Sequence, residues 1–100
     1  MGWAEKPLQE KLVTNYLQLL DEHDVLPAAI CFYAEAVMLV VEGSPVLEQL
    51  QSLESKGVRL IVCNTCLNYY GLTNGLKVGI AAGMTDILEA QIQAEKVITL

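Results

Sequence analysis

The stretch Val58-Arg59-Leu60-Ile61-Val62-Cys63-Asn64-Thr65-Cys66-Leu67-Asn68-Tyr69-Tyr70-Gly71-Leu72 decides how this chain is read. It opens as an apolar run of the kind that forms a strand buried in an α/β sheet, and it ends directly on a C-x-x-C pair. Leu67 to Tyr70 suits a short helix closed by Gly71. In α/β proteins ligands and reactive groups gather beyond the carboxyl ends of strands, where the next helix presents unpaired N–H groups. With Asn64 or Thr65 as the cap, Cys63 falls at the strand's exit and Cys66 in the first helical turn. The spacing predicts that both sulfurs open into one pocket, where the helix start favours a thiolate.

Working back from this motif, Ser44 and Pro45 open a helix as cap and first residue, after Gly43 stops the preceding segment. The helix buries Val46, Leu47, Leu50 and Leu53 and ends at Lys56-Gly57, where glycine supplies a left-handed cap. Glu35 to Val41 fits either a short helix or a strand extension. Ala28 to Tyr33 is a nearly continuous apolar run, predicted to be a central buried strand with Cys31 as an inert core thiol. Pro7 to about His23 has helical periodicity with one wide buried face. Asp21-Glu22-His23-Asp24 reads as a solvated acidic turn.

Forward from the motif, Thr73-Asn74-Gly75 forms a turn and Lys77-Val78-Gly79-Ile80 a small strand. Thr85 caps a last helix that buries Met84, Ile87, Leu88 and Ile92, with Asp86 in its first turn. Val97 to Leu100 closes the chain as a strand. The alternation of helices and strands predicts a mainly parallel sheet with helices on its faces, within a single domain spanning residues 1–100.

Bulk composition narrows the function. Twelve acidic against six basic residues give a net charge of −6, which repels phosphate backbones and anionic lipid heads. Nucleic acid and membrane surfaces are therefore not expected partners. The hydrophobic fraction of 53% is high, but no apolar stretch approaches the roughly 18–20 residues of a spanning helix. The surplus is read as buried sheet and subunit contacts. The first residues lack the features of a secretory signal, which predicts a cytoplasmic protein. Three cysteines cannot close a complete disulfide framework within one chain, so free thiols are expected.

The chemistry these thiols could serve is persulfide carriage, disulfide exchange or selenium transfer. Against it stands a structural reading, in which Cys63 packs as a small hydrophobe at a buried strand end. A structural zinc site wants four ligands, and the chain offers no second C-x-x-C and a single histidine, His23. No metal is expected. The glycines at 71, 75, 79 and 83 form no nucleotide fingerprint and there is no P-loop, so no cofactor is expected either. Tyr69 and Tyr70 are candidates to line a pocket beside the thiols.

Leu26-Pro27 to Phe32, Glu42-Gly43-Ser44-Pro45-Val46-Leu47, Lys56-Gly57-Val58, the Val62 to Leu72 motif, and Met84-Thr85-Asp86-Ile87 with Glu95-Lys96-Val97-Ile98 together resemble the DsrE-like domain of the YedF family. These are sulfurtransferase-like proteins linked to selenium metabolism. The resemblance implies a DsrE/YchN-like three-layer α/β sandwich, assembled into dimers, trimers or hexamers, in which a strand-end cysteine accepts or relays sulfur. By position Cys63 matches that cysteine, and Cys66 matches the second cysteine of the YedF branch. The implied catalytic residues are thus Cys63 as persulfide-bearing nucleophile and Cys66 as resolving or relay thiol.

Met1-Gly2 resembles the Met-Gly found just after that family's first strand, so the usual first strand is missing and is expected upstream of this start. The leading expectation is a small cytosolic sulfur carrier or sulfurtransferase-like protein, meeting a sulfur donor or acceptor and forming a homo-oligomer. The alternatives are a noncatalytic assembly subunit with structural cysteines and a thiol–disulfide redox protein.

Overall fold

A computed structural model describes residues 5–23 and 26–97. Four helices and three strands alternate along them: α1 (Lys6–Glu22), β1 (Ala29–Phe32), α2 (Leu47–Ser55), β2 (Arg59–Cys63), α3 (Asn64–Tyr69), β3 (Ile80–Ala82) and α4 (Met84–Gln93). A 3-10 helix, Ala34–Val40, joins β1 to α2, and a shorter one, Thr73–Gly75, precedes β3. The strands form a parallel sheet in the order β1-β2-β3. This is an α/β architecture compatible with a DsrE-like sandwich.

The register assigns every strand residue to a face. Cys31 stands opposite Ile61 and Phe32 opposite Val62, while Ile61 pairs with Ile80 and Cys63 with Ala82. Because side chains alternate along a strand, Phe32, Leu60 and Val62 face one way, into a core completed by Leu17, Val37, Val40, Val46, Leu50 and Leu53. Ala29, Cys31, Ile61, Cys63 and Ala82 face the other way, against Ile87 and Ala90 of α4. Helices therefore cover both faces of the sheet.

α2 shows why the local sequence folds as it does. Its fully buried Leu50 and Leu53 contribute about 1.5–3 kcal/mol each by leaving water. At its end Val58 N–H bonds the carbonyl of Leu53 (3.1 Å) and Gly57 N–H that of Glu54 (3.1 Å), a Schellman cap. Gly57 takes the left-handed φ of 98° that this cap requires. The Ser44-Pro45 start is displaced: Ser44 Oγ accepts from Val46 N–H at 3.2 Å and holds a turn, and the helix begins at Leu47.

Several sequence expectations are corrected. β1 is an edge strand among the described residues, with Ala29, Ile30 and Cys31 only half-buried. β2 is central because it pairs on both sides. The strand expected at 77–80 lies at Ile80–Ala82, because Lys77 and Val78 N–H groups are drawn to Val40 O instead. Gly83, not Thr85, is the N-cap of α4. That helix buries Ile87 alone, and Met84, Leu88 and Ile92 form a one-sided exposed stripe because the sheet meets the Ile87 and Ala90 side. In α1 only Leu17 is fully buried, and Leu8, Leu12 and Leu19 are exposed. Residues 98–100 of the expected closing strand lie outside the described residues.

The acidic turn is less solvated than its composition implied. Asp21 forms an ion pair with Lys56 Nζ at 2.9 Å and accepts from Ser52 Oγ at 2.7 Å, tying the end of α1 to α2. These two hydrogen bonds hold the Asp21 carboxyl below its ordinary range.

Candidate functional site

The site is built where β1 and β2 end. β2 delivers Cys63 as its last residue, and α3 starts at once with Asn64, so the chain turns over the strand end and closes it. α3 is capped by the same Schellman geometry as α2, with Leu72 N–H to Leu67 O at 2.8 Å and Gly71 in the left-handed region. Leu67 is its fully buried anchor.

Cys63 is 1% exposed, packed in an apolar cluster with Ile61 and Ile87. The pocket expected to open around both sulfurs is therefore closed over this one. The helix that follows has six residues, too few to build a substantial dipole, since the macrodipole sums aligned peptide units. Cys66 is placed differently. It is half-buried, borders the apolar clusters on both sides of the sheet, and its Sγ accepts the backbone N–H of Ala34 at 3.1 Å.

That donor is unusual. Ala34 has φ 55°, the one left-handed non-glycine residue among those described. For a residue bearing Cβ this conformation costs about 1–2 kcal/mol. The strain sits at the junction between β1 and the 3-10 helix, and it turns an amide hydrogen toward the Cys66 sulfur on α3. Donors fixed in this way stabilise negative charge where it resides or develops.

The third thiol joins the group. Cys31, read from sequence as an inert core residue, is half-buried and packs against the cluster containing Cys63. Burial pushes its thiol pKa up, and the Arg59 charge partly opposes the shift. All three cysteines are free thiols. Among the described residues, no three His, Cys, Asp or Glu side chains are grouped to hold a metal ion.

The tyrosines divide. Tyr69 is 83% exposed, whereas Tyr70 is half-buried; their rings meet edge to face at 5.1 Å between centroids. Tyr70 lines a groove of 340 Å³ with Lys6, Met38, Glu42 and Pro45. A larger groove of 530 Å³ runs past Arg59, Ile61, Ile80 and Asp86. Neither groove is lined by a cysteine.

Helices on both faces of a parallel sheet, with three free thiols on or just beyond its strands, define a small α/β protein. The chain belongs to the DsrE/DsrF-like family, whose model matches residues 4–100. No curated protein and no solved structure gives a significant match. The family is a sulfur-relay family, and membership supports a general sulfurtransferase-like role. Among the described residues, no helix is long and apolar enough to cross a membrane.

Sequence spacing brought Cys63 and Cys66 together, and the fold keeps them neighbours. Ala34 and Cys31 were missed as parts of the site. The first left no signal, because Tyr33-Ala34-Glu35-Ala36 carries no glycine or asparagine to announce a positive φ. The second needed the register between β1 and β2.

Proposed function

We propose that this protein is a small cytosolic sulfur carrier in which Cys66 receives sulfane sulfur from a donor and Cys63 is the second thiol of the site. The observation that carries the reading is the Ala34 N–H aimed at Cys66 Sγ. A carrier needs a sulfur that an outside persulfide can approach and that tolerates negative charge. Cys66 meets both needs, being half-buried and served by a fixed donor. Cys63, enclosed by Ile61 and Ile87, is suited to hold sulfur away from water once it has entered.

The transfer is redox-neutral. The Cys66 thiolate attacks the outer sulfur of a donor persulfide, the donor's S–S bond breaks, and the donor thiolate leaves. The resemblance to the YedF branch extends the proposal to selenium, which follows the same nucleophilic route. Partners are a donor and an acceptor protein. A second copy of this chain is a further partner, supported by the exposed stripe Met84, Leu88 and Ile92.

The alternative, an assembly subunit with structural thiols, draws on the enclosure of Cys63. Cyanolysis separates the two. The protein is incubated with a low-molecular-weight persulfide, desalted and treated with cyanide, which takes a sulfane sulfur as thiocyanate. The carrier yields thiocyanate in proportion to protein and loses the yield in Cys66→Ser. A subunit with structural thiols yields none.

A further inference from the structure

The enclosure of Cys63 has a chemical consequence: sulfur can reach it or leave it only through neighbouring side chains. Two thiols border its cluster. Cys66 stands beyond the end of β2, and Cys31 stands on the adjacent strand, on the same sheet face. We infer that Cys31 is a third station of the relay, taking the sulfane from Cys63 after it has entered at Cys66. This rests on the carrier function proposed above.

Distance supports relay over cross-linking. Cys31 is paired with Ile61 and Cys63 lies two residues further along β2. Neighbouring strands about 4.8 Å apart and a rise of about 3.3 Å per residue put the two Cα atoms roughly 8 Å apart. A disulfide requires a separation under about 7 Å, so these two cysteines do not close one without backbone movement. A sulfane on Cys63 extends the transferable atom about 2 Å beyond Sγ, one S–S bond length, within the cluster that Cys31 also borders.

The environment fits an outlet. Cys31 is half-buried where Cys63 is sealed, and while burial pushes its thiol pKa up, Arg59, two residues before Ile61 on the same face, brings an opposing positive charge to bear on it. The apolar lining of Ile61, Ile87, Ala29 and Ala82 keeps water from the sulfur during passage.

Each step balances. The Cys63 thiolate attacks the outer sulfur of the Cys66 persulfide, the bond from that sulfur to Cys66 Sγ breaks, and the electron pair leaves on the Cys66 thiolate. The proton given up by the Cys63 thiol ends on Cys66. The second step repeats this from Cys63 to Cys31, with no net oxidation. The starting sulfur comes from the persulfide donor.

Trypsin separates the stations, because cleavage at Lys11, Lys56, Arg59 and Lys77 leaves Cys31 in fragment 12–56 and both other cysteines in fragment 60–77. The intact chain is pulsed with cysteine persulfide, chased without donor, quenched with an alkylating agent at each time point and digested for mass spectrometry. Sulfane first on 60–77 and later on 12–56 is the expected result, with the 12–56 signal falling about tenfold in Cys63→Ser. Sulfane confined to 60–77 overturns the role of Cys31 and leaves carriage at Cys66 standing. Equal loading of 12–56 in wild type and Cys63→Ser also overturns it, by showing direct attack from solution. Sulfane on neither fragment removes the carrier reading itself. The wild-type time course decides the order of loading without any variant.

Discussion

The backbone N–H of Ala34 lies 3.1 Å from Sγ of Cys66, and Ala34 holds that position with a φ of 55°. A strained residue at the exit of β1 thus meets a thiol on α3. Ordinary folding gives no reason to keep alanine there, since glycine would take the same conformation without a steric cost. Strain retained beside a reactive group is commonly part of how that group is positioned.

Separating the strain from the hydrogen bond gives the first prediction. Ala34→Gly keeps the N–H and relieves the left-handed strain, and is expected to change stability by no more than about 1 kcal/mol, because glycine's larger unfolded entropy offsets the relief. Replacing the Ala34 amide by an ester, through lactic acid at that position, removes the donor alone. Iodoacetamide labelling of Cys66 is expected to slow severalfold in the ester and to stay near wild type in Ala34→Gly. Equal labelling in both would show that the amide does not act on the sulfur.

Cys63 and Cys66 are expected to differ in what their loss costs. Cys63→Ala empties a sealed apolar site and should lower stability by about 1–2 kcal/mol in urea unfolding. Cys66→Ala, at a half-buried position, should cost less than about 1 kcal/mol while abolishing sulfur uptake.

Gly79 supplies a test of the sheet. Its φ is 79°, and a Cβ there would stand 3.0 Å from the Leu60 carbonyl oxygen and 3.0 Å from Val62 Cγ2. Both contacts belong to the central strand, which cannot retreat without disturbing Cys63. Gly79→Ala is expected to destabilise by at least about 2 kcal/mol in denaturant unfolding.

Asp21 predicts a pH dependence. Its folded pKa is lowered by the hydrogen bonds from Lys56 and Ser52 below the ordinary 3.8. A depressed carboxyl stabilises the fold above its unfolded pKa, and the contribution is lost as pH falls through the folded value. Asp21→Asn should therefore lower the thermal midpoint slightly at neutral pH. Below the folded value the midpoints of the two proteins should converge, and a gap of constant size down to low pH would assign the effect to something other than this ionisation.

The α4 stripe predicts assembly through a second copy. Met84, Leu88 and Ile92 recur every fourth residue, and Ile92 is 72% exposed. Wild type is expected to sediment as an oligomer, and Leu88→Glu with Ile92→Glu to shift it to the monomer. A wild-type monomer at working concentrations would contradict this.

Much of the architecture was legible in the sequence because the cues were local. Gly57 ended α2, the apolar run after it made a buried strand, and C-x-x-C placed two thiols at its exit, whereas the central place in the sheet, expected for Ala28 to Tyr33, went to this strand. Facing was not legible. Met84, Leu88 and Ile92 have the spacing of a buried stripe, but Ile87 and Ala90 are the residues that meet the sheet. Helical periodicity identifies an apolar side without saying whether the chain itself or a partner covers it. Cys63 was expected to open outward because it ends a strand, and it is closed in because α3 begins without an intervening loop. Cys31 joined the other thiols through a strand register that no local pattern encodes.

On the proposed function, Cys66 is the point where sulfur enters. This is tested most directly by briefly exposing the intact chain to one equivalent of cysteine persulfide, alkylating at once, and locating the added sulfur in fragment 60–77 by fragmentation mass spectrometry. One added sulfur atom is expected on Cys66, retained in Cys63→Ser and absent in Cys66→Ser. First appearance on Cys63, with Cys66→Ser loading as fast as wild type, would contradict it.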